Sequence, residues 1–192
     1  MKSKKCKFCG NEFKQARPMQ NVCSPDCAYK LVEQKNIKKA AKAIKDKEKE
    51  LRKHLKESKE KLKTKGQLAK EAQVAFNKYV RLRDKDLPCI SCGRHHQGQY
   101  HAGHYRSVGS SPHLRFNLWN VHLQCQPCNV HLSGNLINYR MNLIKKIGQE
   151  KVDWIESASF SNKYSEEYLR RVKLVFGVKF NLLRRRYGSG AA

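Results

Sequence analysis

The chain has 192 residues, enough for one medium domain or two small ones with a linker. Forty-one Lys and Arg against sixteen Asp and Glu leave a net charge of +25, so a polyanion, nucleic acid above all, is the expected partner. No stretch approaches the ~20 apolar residues of a membrane span, and the opening "MKSKKCKFCG" lacks the apolar core of a signal peptide. A membrane partner is not expected. The expected compartment is the reducing cytoplasm, where eight cysteines are better metal ligands than disulfide partners.

In chain order, residues 1–27 read as a small zinc module. Cys6, Cys9, Cys23 and Cys27 form one quartet, and the few apolar residues (Phe8, Phe13, Val22) leave the metal to supply most of the folding energy. Ser24 is placed as a helix cap with Pro25 at the first helical position, so Cys27 falls in the first turn. Residues 28–65 read as a long lysine-rich helix. Ile37, Ile44 and Leu51 recur every seven residues, and Leu55 and Leu62 repeat in a shifted register. That thin seam fits either a solvated single helix or a dimerising one, and it leaves a homodimer open.

Gly66 is expected to break the helix, with a second helix over 67–83 that presents Leu68, Ala72, Phe76 and Tyr79 or Val80 on one face. Residues 66–157 then form the main domain. Cys89 and Cys92 open the second quartet; Cys125 and Cys128 close it. Between them, "QGQYHAGHYRS" and "LWNVHLQC" read as strands joined by the loop "SSPHLRFN". A short helix follows from Cys128 or Asn129 to Ser133-Gly134, and "LINYRMNLIKKIGQEKVDWIES" supplies one or two more. Residues 158–192 add a loop, a basic helix from about Ser165, and a soft "GSGAA" tail. The class is α+β.

A zinc ion held by four cysteines is coordinatively closed, so it braces the fold and leaves chemistry to neighbouring groups. Seven of the eight histidines lie between His95 and His131, six of them inside the second quartet's span and His131 just past it. Asn129, at the start of the short helix, offers a neutral amide oxygen that suits Mg²⁺ or Mn²⁺. His122 alternates with Asn120 on one strand face and serves either a phosphate or a structural hydrogen bond. His131 lies about 200° round an α-helix from Asn129, so both cannot face one ion. His95, His96 and His113 read as loop residues. Arg106 and Arg115 flank this region as candidate phosphate clamps.

The layout Cys-x-x-Cys, a strand ending in Gly-His, an Asn on the second strand and Cys-x-x-Cys-Asn resembles the zinc-braced HNH (ββα-metal) nucleases. "RDKDLPCISCG", "AGHYRS", "LRFN", "NVHLQCQPCNVHLSGN" and "YRMNLIKKIGQEKVDWIES" are similar to the NinG/Rap recombination endonucleases of lambdoid phages. The resemblance implies a small HNH-like core with two structural zinc ions and a catalytic Mg²⁺ or Mn²⁺. It further implies a phage-encoded enzyme that cuts branched DNA, such as Holliday junctions and D-loops, in the bacterial host cytoplasm. By the same resemblance His104 is the general base, Asn120 holds the loop and orients that base, and Asn129 is the metal ligand. One position departs: where HNH proteins often carry an acid before the base, this chain has Gly103, and His101 stands where the phage family carries Asp. Either His101 contributes to the metal, as a ligand or as a support for one, or Asn129 and water hold it nearly alone. Two other readings compete: a non-catalytic zinc-finger nucleic-acid-binding protein, and a sequence-specific HNH endonuclease. The lysine-rich helix favours recognition of backbone and shape.

Overall fold

A computed structural model describes residues 3–158 and 164–188. Residues 159–163 of the expected loop and the "GSGAA" tail beyond Gly188 lie outside the described residues. The chain divides into two compact units, Met1–Leu62 and Lys63–Ala192.

In the first unit, strands β1 (Ser3–Lys5) and β2 (Glu12–Lys14) pair antiparallel, with Lys4 opposite Phe13. They lead into and out of the Cys6–Cys9 turn. The turn closes through Gly10, whose N–H donates to the Cys6 carbonyl at φ +77°, a conformation that favours glycine. The second unit repeats the device: Gly93 at φ +68° donates to the Cys89 carbonyl. Helix α1 (Pro25–Lys61) starts where Ser24 accepts from the Cys27 N–H at 3.2 Å. It runs for 37 residues and buries none of them, so Ile37, Ile44, Leu51 and Leu55 stand exposed along it.

Helix α2 (Lys65–Arg83) does not begin where the glycine suggested. Thr64 accepts from the Gln67 N–H while the Gln67 side chain accepts from the Thr64 N–H, a reciprocal cap. Gly66 therefore lies inside the first turn, because two satisfied donors outweigh one residue of poor helix propensity. The buried face of α2 is Leu68, Ala72, Phe76 and Val80. It packs with Leu169, Val172 and Phe176 of α5 (Glu166–Gly188) and with Phe116 and Val121. Phe76 meets Phe176 edge-on at 4.7 Å and Phe116 at 5.7 Å. The basic C-terminal helix is thus part of the same core as the strands.

Strands β3 (Tyr100–His104) and β4 (Val121–Cys125) form an antiparallel pair in which His104 faces Val121, Gly103 faces His122 and His101 faces Gln124. The segment expected to be a short α-helix is a π-helical turn, Pro127–His131, closed by Leu132 N–H to Pro127 O and followed by Gly134 N–H to Cys128 O. Its wider spacing carries the chain from Cys128 through Asn129 and back toward β3. Helices α3 (Leu136–Ile147) and α4 (Gln149–Ser157) are separate, divided at Gly148. Tyr139, Leu143, Val152 and Ile155 make a second core with Ile90, Tyr105 and Leu114. Among the described residues no helix is long and apolar enough to cross a membrane.

Candidate functional site

All eight cysteines gather into the two quartets that their spacing implied. In each set the four sulfur atoms lie within 4.8 Å of one another. Individual separations run from 3.5 Å (Cys23–Cys27) and 3.6 Å (Cys9–Cys23) to 4.0 Å (Cys92–Cys125). A tetrahedron with zinc–sulfur bonds of ~2.3 Å has edges of about 3.8 Å. Each set therefore suits a zinc ion.

The thiol chemistry agrees. Burial raises the pKa of Cys6, yet N–H donors from Cys9, Phe8 and Cys23 bring it down to about 6. Cys23 is pushed up to about 12 by its hydrogen bond with Cys27. In the second set burial raises Cys89, but the N–H groups of Cys125, Cys92 and Ser91 lower it overall, while burial pushes Cys125 up to about 12. In each set one thiol is lowered and another raised, because like charges this close need a cation. His96 Nε2 lies 3.1 Å from Cys92 Sγ, and the Asn135 amide donates to Cys128 Sγ at 3.5 Å; such contacts steady metal-binding thiolates.

A cleft of about 440 Å³ opens beside this brace, lined by His104, Arg106, Asn129, Ser133, Gly134 and Leu136 among others. His104 ends β3. Its Nε2 donates to the Arg115 carbonyl at 3.0 Å, so the proton sits on Nε2 and the lone pair on Nδ1. Burial lowers its pKa below the ordinary 6.5, against the opposing pull of the Arg115 and Ala102 carbonyls. The ring is therefore neutral near pH 7.

Asn120 holds the loop between the strands. It is fully buried; its Oδ1 accepts from the Arg106 N–H at 2.8 Å, and its Nδ2 donates to the carbonyls of Arg106 (3.0 Å) and Leu114 (3.2 Å). The backbone of Asn120 also accepts from the Tyr105 N–H at 2.9 Å. These bonds fix both ends of the segment that carries the Arg115 carbonyl to His104.

Asn129 donates from Nδ2 to His101 Nδ1 at 2.9 Å, which turns its Oδ1 elsewhere. Gln124, which no motif in the sequence marks, faces His101 across the strand pair. Its Nε2 donates to Ser91 Oγ (2.7 Å) and the Gly134 carbonyl (2.6 Å); Oε1 is buried with no hydrogen-bond partner among the described residues. A Cβ at Gly103 would fall 2.0 Å from that oxygen. This explains the glycine before His104: Gln124 already fills the space a side chain there would need. The signal was present in the strand register, which becomes readable only once the two strands are paired.

His122 lies away from the cleft. Its Nδ1 is 3.1 Å from the Arg83 guanidinium and 3.5 Å from the Asp84 carboxylate, and its Nε2 is 3.1 Å from the Trp119 carbonyl. Asp84, just past the end of α2, also pairs with Lys146 at 3.4 Å and accepts from the Leu123 N–H. Burial alone would raise its pKa, yet hydrogen bonds from His122 and Arg83 hold it well below the usual carboxylate range. Of the two flanking arginines, Arg106 lines the cleft, while Arg115 donates to Gln73 at 2.7 Å and serves His104 through its backbone. Tyr105, next to His104, donates to Glu156, which Arg140 clamps with bonds of 2.8 and 3.0 Å.

These features define a class: a strongly basic protein with two four-cysteine clusters of zinc geometry, one of them bracing a polar cleft on an antiparallel strand pair. The family model described as "Bacteriophage Lambda NinG protein" matches residues 1–186. "Protein ninG" of Escherichia phage 933W is 41% identical over 195 residues, covering 94% of each chain. "Protein ninG" of Escherichia phage lambda is 41% identical over 190 residues (92% of this chain, 90% of that protein), and that of Salmonella phage P22 is 40% identical over the same length and coverage. The chain belongs to the NinG family. No solved structure matches it.

Proposed function

We propose that this protein is a structure-specific DNA endonuclease that cuts branched recombination intermediates by metal-dependent phosphodiester hydrolysis. One observation carries the reading: a neutral histidine, its Nε2 tied to a backbone carbonyl and its Nδ1 left basic, lines one cleft with an Asn amide on the zinc brace. His104 Nδ1 takes the proton of the attacking water, and the Arg115 and Ala102 carbonyls stabilise the imidazolium that results. Asn120 keeps the loop, and hence the ring, in place.

The neutral amide oxygen of Asn129 suits a hard divalent cation. Asn129 Oδ1 would hold it, in the cleft that His104 also lines. His101 orients the Asn129 amide through Nδ1. When bound, Mg²⁺ or Mn²⁺ supplies charge to the scissile phosphate and the leaving 3′ oxygen. The net charge of +25 supports binding through the DNA backbone.

The test is cleavage of a four-way junction against a matched linear duplex, with and without Mg²⁺. His104→Ala is expected to lose ~10²–10⁴ in rate while junction affinity stays within a few fold. Asn129→Ala is expected to recover partly at high Mg²⁺ or Mn²⁺. Near wild-type cleavage by the His104 variant refutes the assignment and favours a non-catalytic DNA-binding protein.

A further inference from the structure

The only two tryptophans in the chain meet at the surface of the second unit. Trp119 and Trp154 are 41% and 43% exposed, and their rings stand perpendicular with centroids 5.7 Å apart. The Lys151 ammonium lies 5.4 Å from the centre of the Trp119 ring. Beside Trp119 is a shallow pocket of about 310 Å³ whose other walls are Phe116, Asn117, Leu118 and Phe176. Single exposed apolar residues are ordinary, but two adjoining indoles, a cation and an apolar pocket form one patch.

The patch is held rigidly. The Trp119 N–H donates to Asn117 Oδ1 at 2.8 Å, and its carbonyl is 3.1 Å from His122 Nε2. Trp154 rides on α4 between the buried residues Val152 and Ile155. It is also coupled to the cleft. Asn120, next after Trp119, clamps the loop at Arg106, and Glu156, two residues after Trp154, binds Tyr105 beside His104.

A rigid aromatic face with a neighbouring ammonium suits a planar, electron-rich ring attached to an anion. The charge of +25 favours nucleic acid over a protein partner. In a blunt duplex the base faces are stacked and covered; at a branch point or single-stranded end they are available.

We propose that Trp119, backed by Trp154 and Lys151, stacks an unpaired nucleobase of branched DNA in this pocket. Selection of branched over linear DNA then comes from a base that only a branch can present. The inference rests on the DNA reading of the cleft but not on cleavage.

Its test uses the zinc-loaded full chain without added Mg²⁺ or Mn²⁺, so that binding is read without strand cutting. In Trp154→Phe, Trp119 is the sole tryptophan, and its fluorescence reports stacking directly. Oligo-dT and a forked duplex with single-stranded arms are expected to quench it at saturation; a blunt duplex of equal length is not. Trp119→Ala is expected to weaken fork binding roughly five- to a hundredfold and leave blunt-duplex affinity within twofold, with Trp119→Phe restoring most of the loss. Should Trp119→Ala melt early by circular dichroism, the quenching result decides alone. Unchanged Trp119 emission at saturating fork overturns the proposal, as does an equal loss of fork and duplex affinity. Quenching without junction cleavage on adding Mg²⁺ removes the nuclease reading and keeps the platform. Cleavage without quenching does the reverse.

Discussion

Asn120→Ala probes how the loop serves His104, the proposed base. The side chain is fully buried and makes three hydrogen bonds, to the Arg106 N–H, the Arg106 carbonyl and the Leu114 carbonyl. Each such bond contributes about 1 kcal/mol net, and a buried group left unpaired costs more, so the substitution is expected to cost about 3–4 kcal/mol. For a unit of this size that lowers the melting temperature by about 10 °C. Asn120→Asp separates the contributions. It keeps the acceptor for the Arg106 N–H but turns a carboxylate oxygen toward two carbonyls, so it should destabilise at least as much as alanine. The catalytic consequence is read below the melting transition, as single-turnover cleavage of a junction at saturating protein. The Arg115 carbonyl that fixes His104 Nε2 lies just beyond the clamped residues. Both variants should therefore cleave at least tenfold more slowly than a surface variant of equal stability. Asn120→Ala with an unchanged melting temperature and wild-type cleavage would refute the clamp.

Replacing Cys89 with Ser should lose one zinc ion per chain by metal analysis and unfold the second unit, since its sulfur sits buried in the quartet. Cys6→Ser should lose the other ion and leave the melting of the second unit unchanged, because the two quartets lie in separate compact units. Gly103→Ala should cost about 1–3 kcal/mol through overpacking, because the new Cβ would fall 2.0 Å from Gln124 Oε1. Adding Gln124→Ala should recover part of that loss, and strict additivity in denaturant melts would contradict the contact. The pH dependence follows from two histidines whose pKa values burial lowers below 6.5. The unfolded chain binds their protons first, so the stability they contribute is complete above pH 6.5 and is lost as pH falls through the folded values. On the proposed mechanism His104 stays a competent base down to its lowered pKa, so the cleavage rate should hold at pH 6.5. A half-maximal rate above pH 7 assigned to this residue would contradict its burial.

Several features were legible in the sequence because the physics that makes them is local. Cys-x-x-Cys spacing brings two thiolates to one turn whatever surrounds it, and eight cysteines fell into two sets with none left over. Ser24 caps α1 within four residues, and helical periodicity placed Leu68, Ala72, Phe76 and Tyr79 or Val80 on one face, of which the structure buries Val80 with the first three under α5. Gly66 misled because propensity is weak beside a reciprocal cap, and the segment after Cys128 misled because an α-helix and a π-turn share much of their sequence preference.

The site itself was decided by contacts far apart in the chain. Strand alternation left His122 a candidate for phosphate, but Arg83 and Asp84, 39 and 38 positions earlier, draw it into a buried polar cluster outside the cleft. His101 meets Asn129 across 28 positions, and Gln124 meets Gly103 only through the register of two strands. A one-residue slip in that register would turn every one of these side chains to the opposite face. Composition cannot encode such a choice; the packing of α2, α3 and the zinc knuckle against the strands makes it.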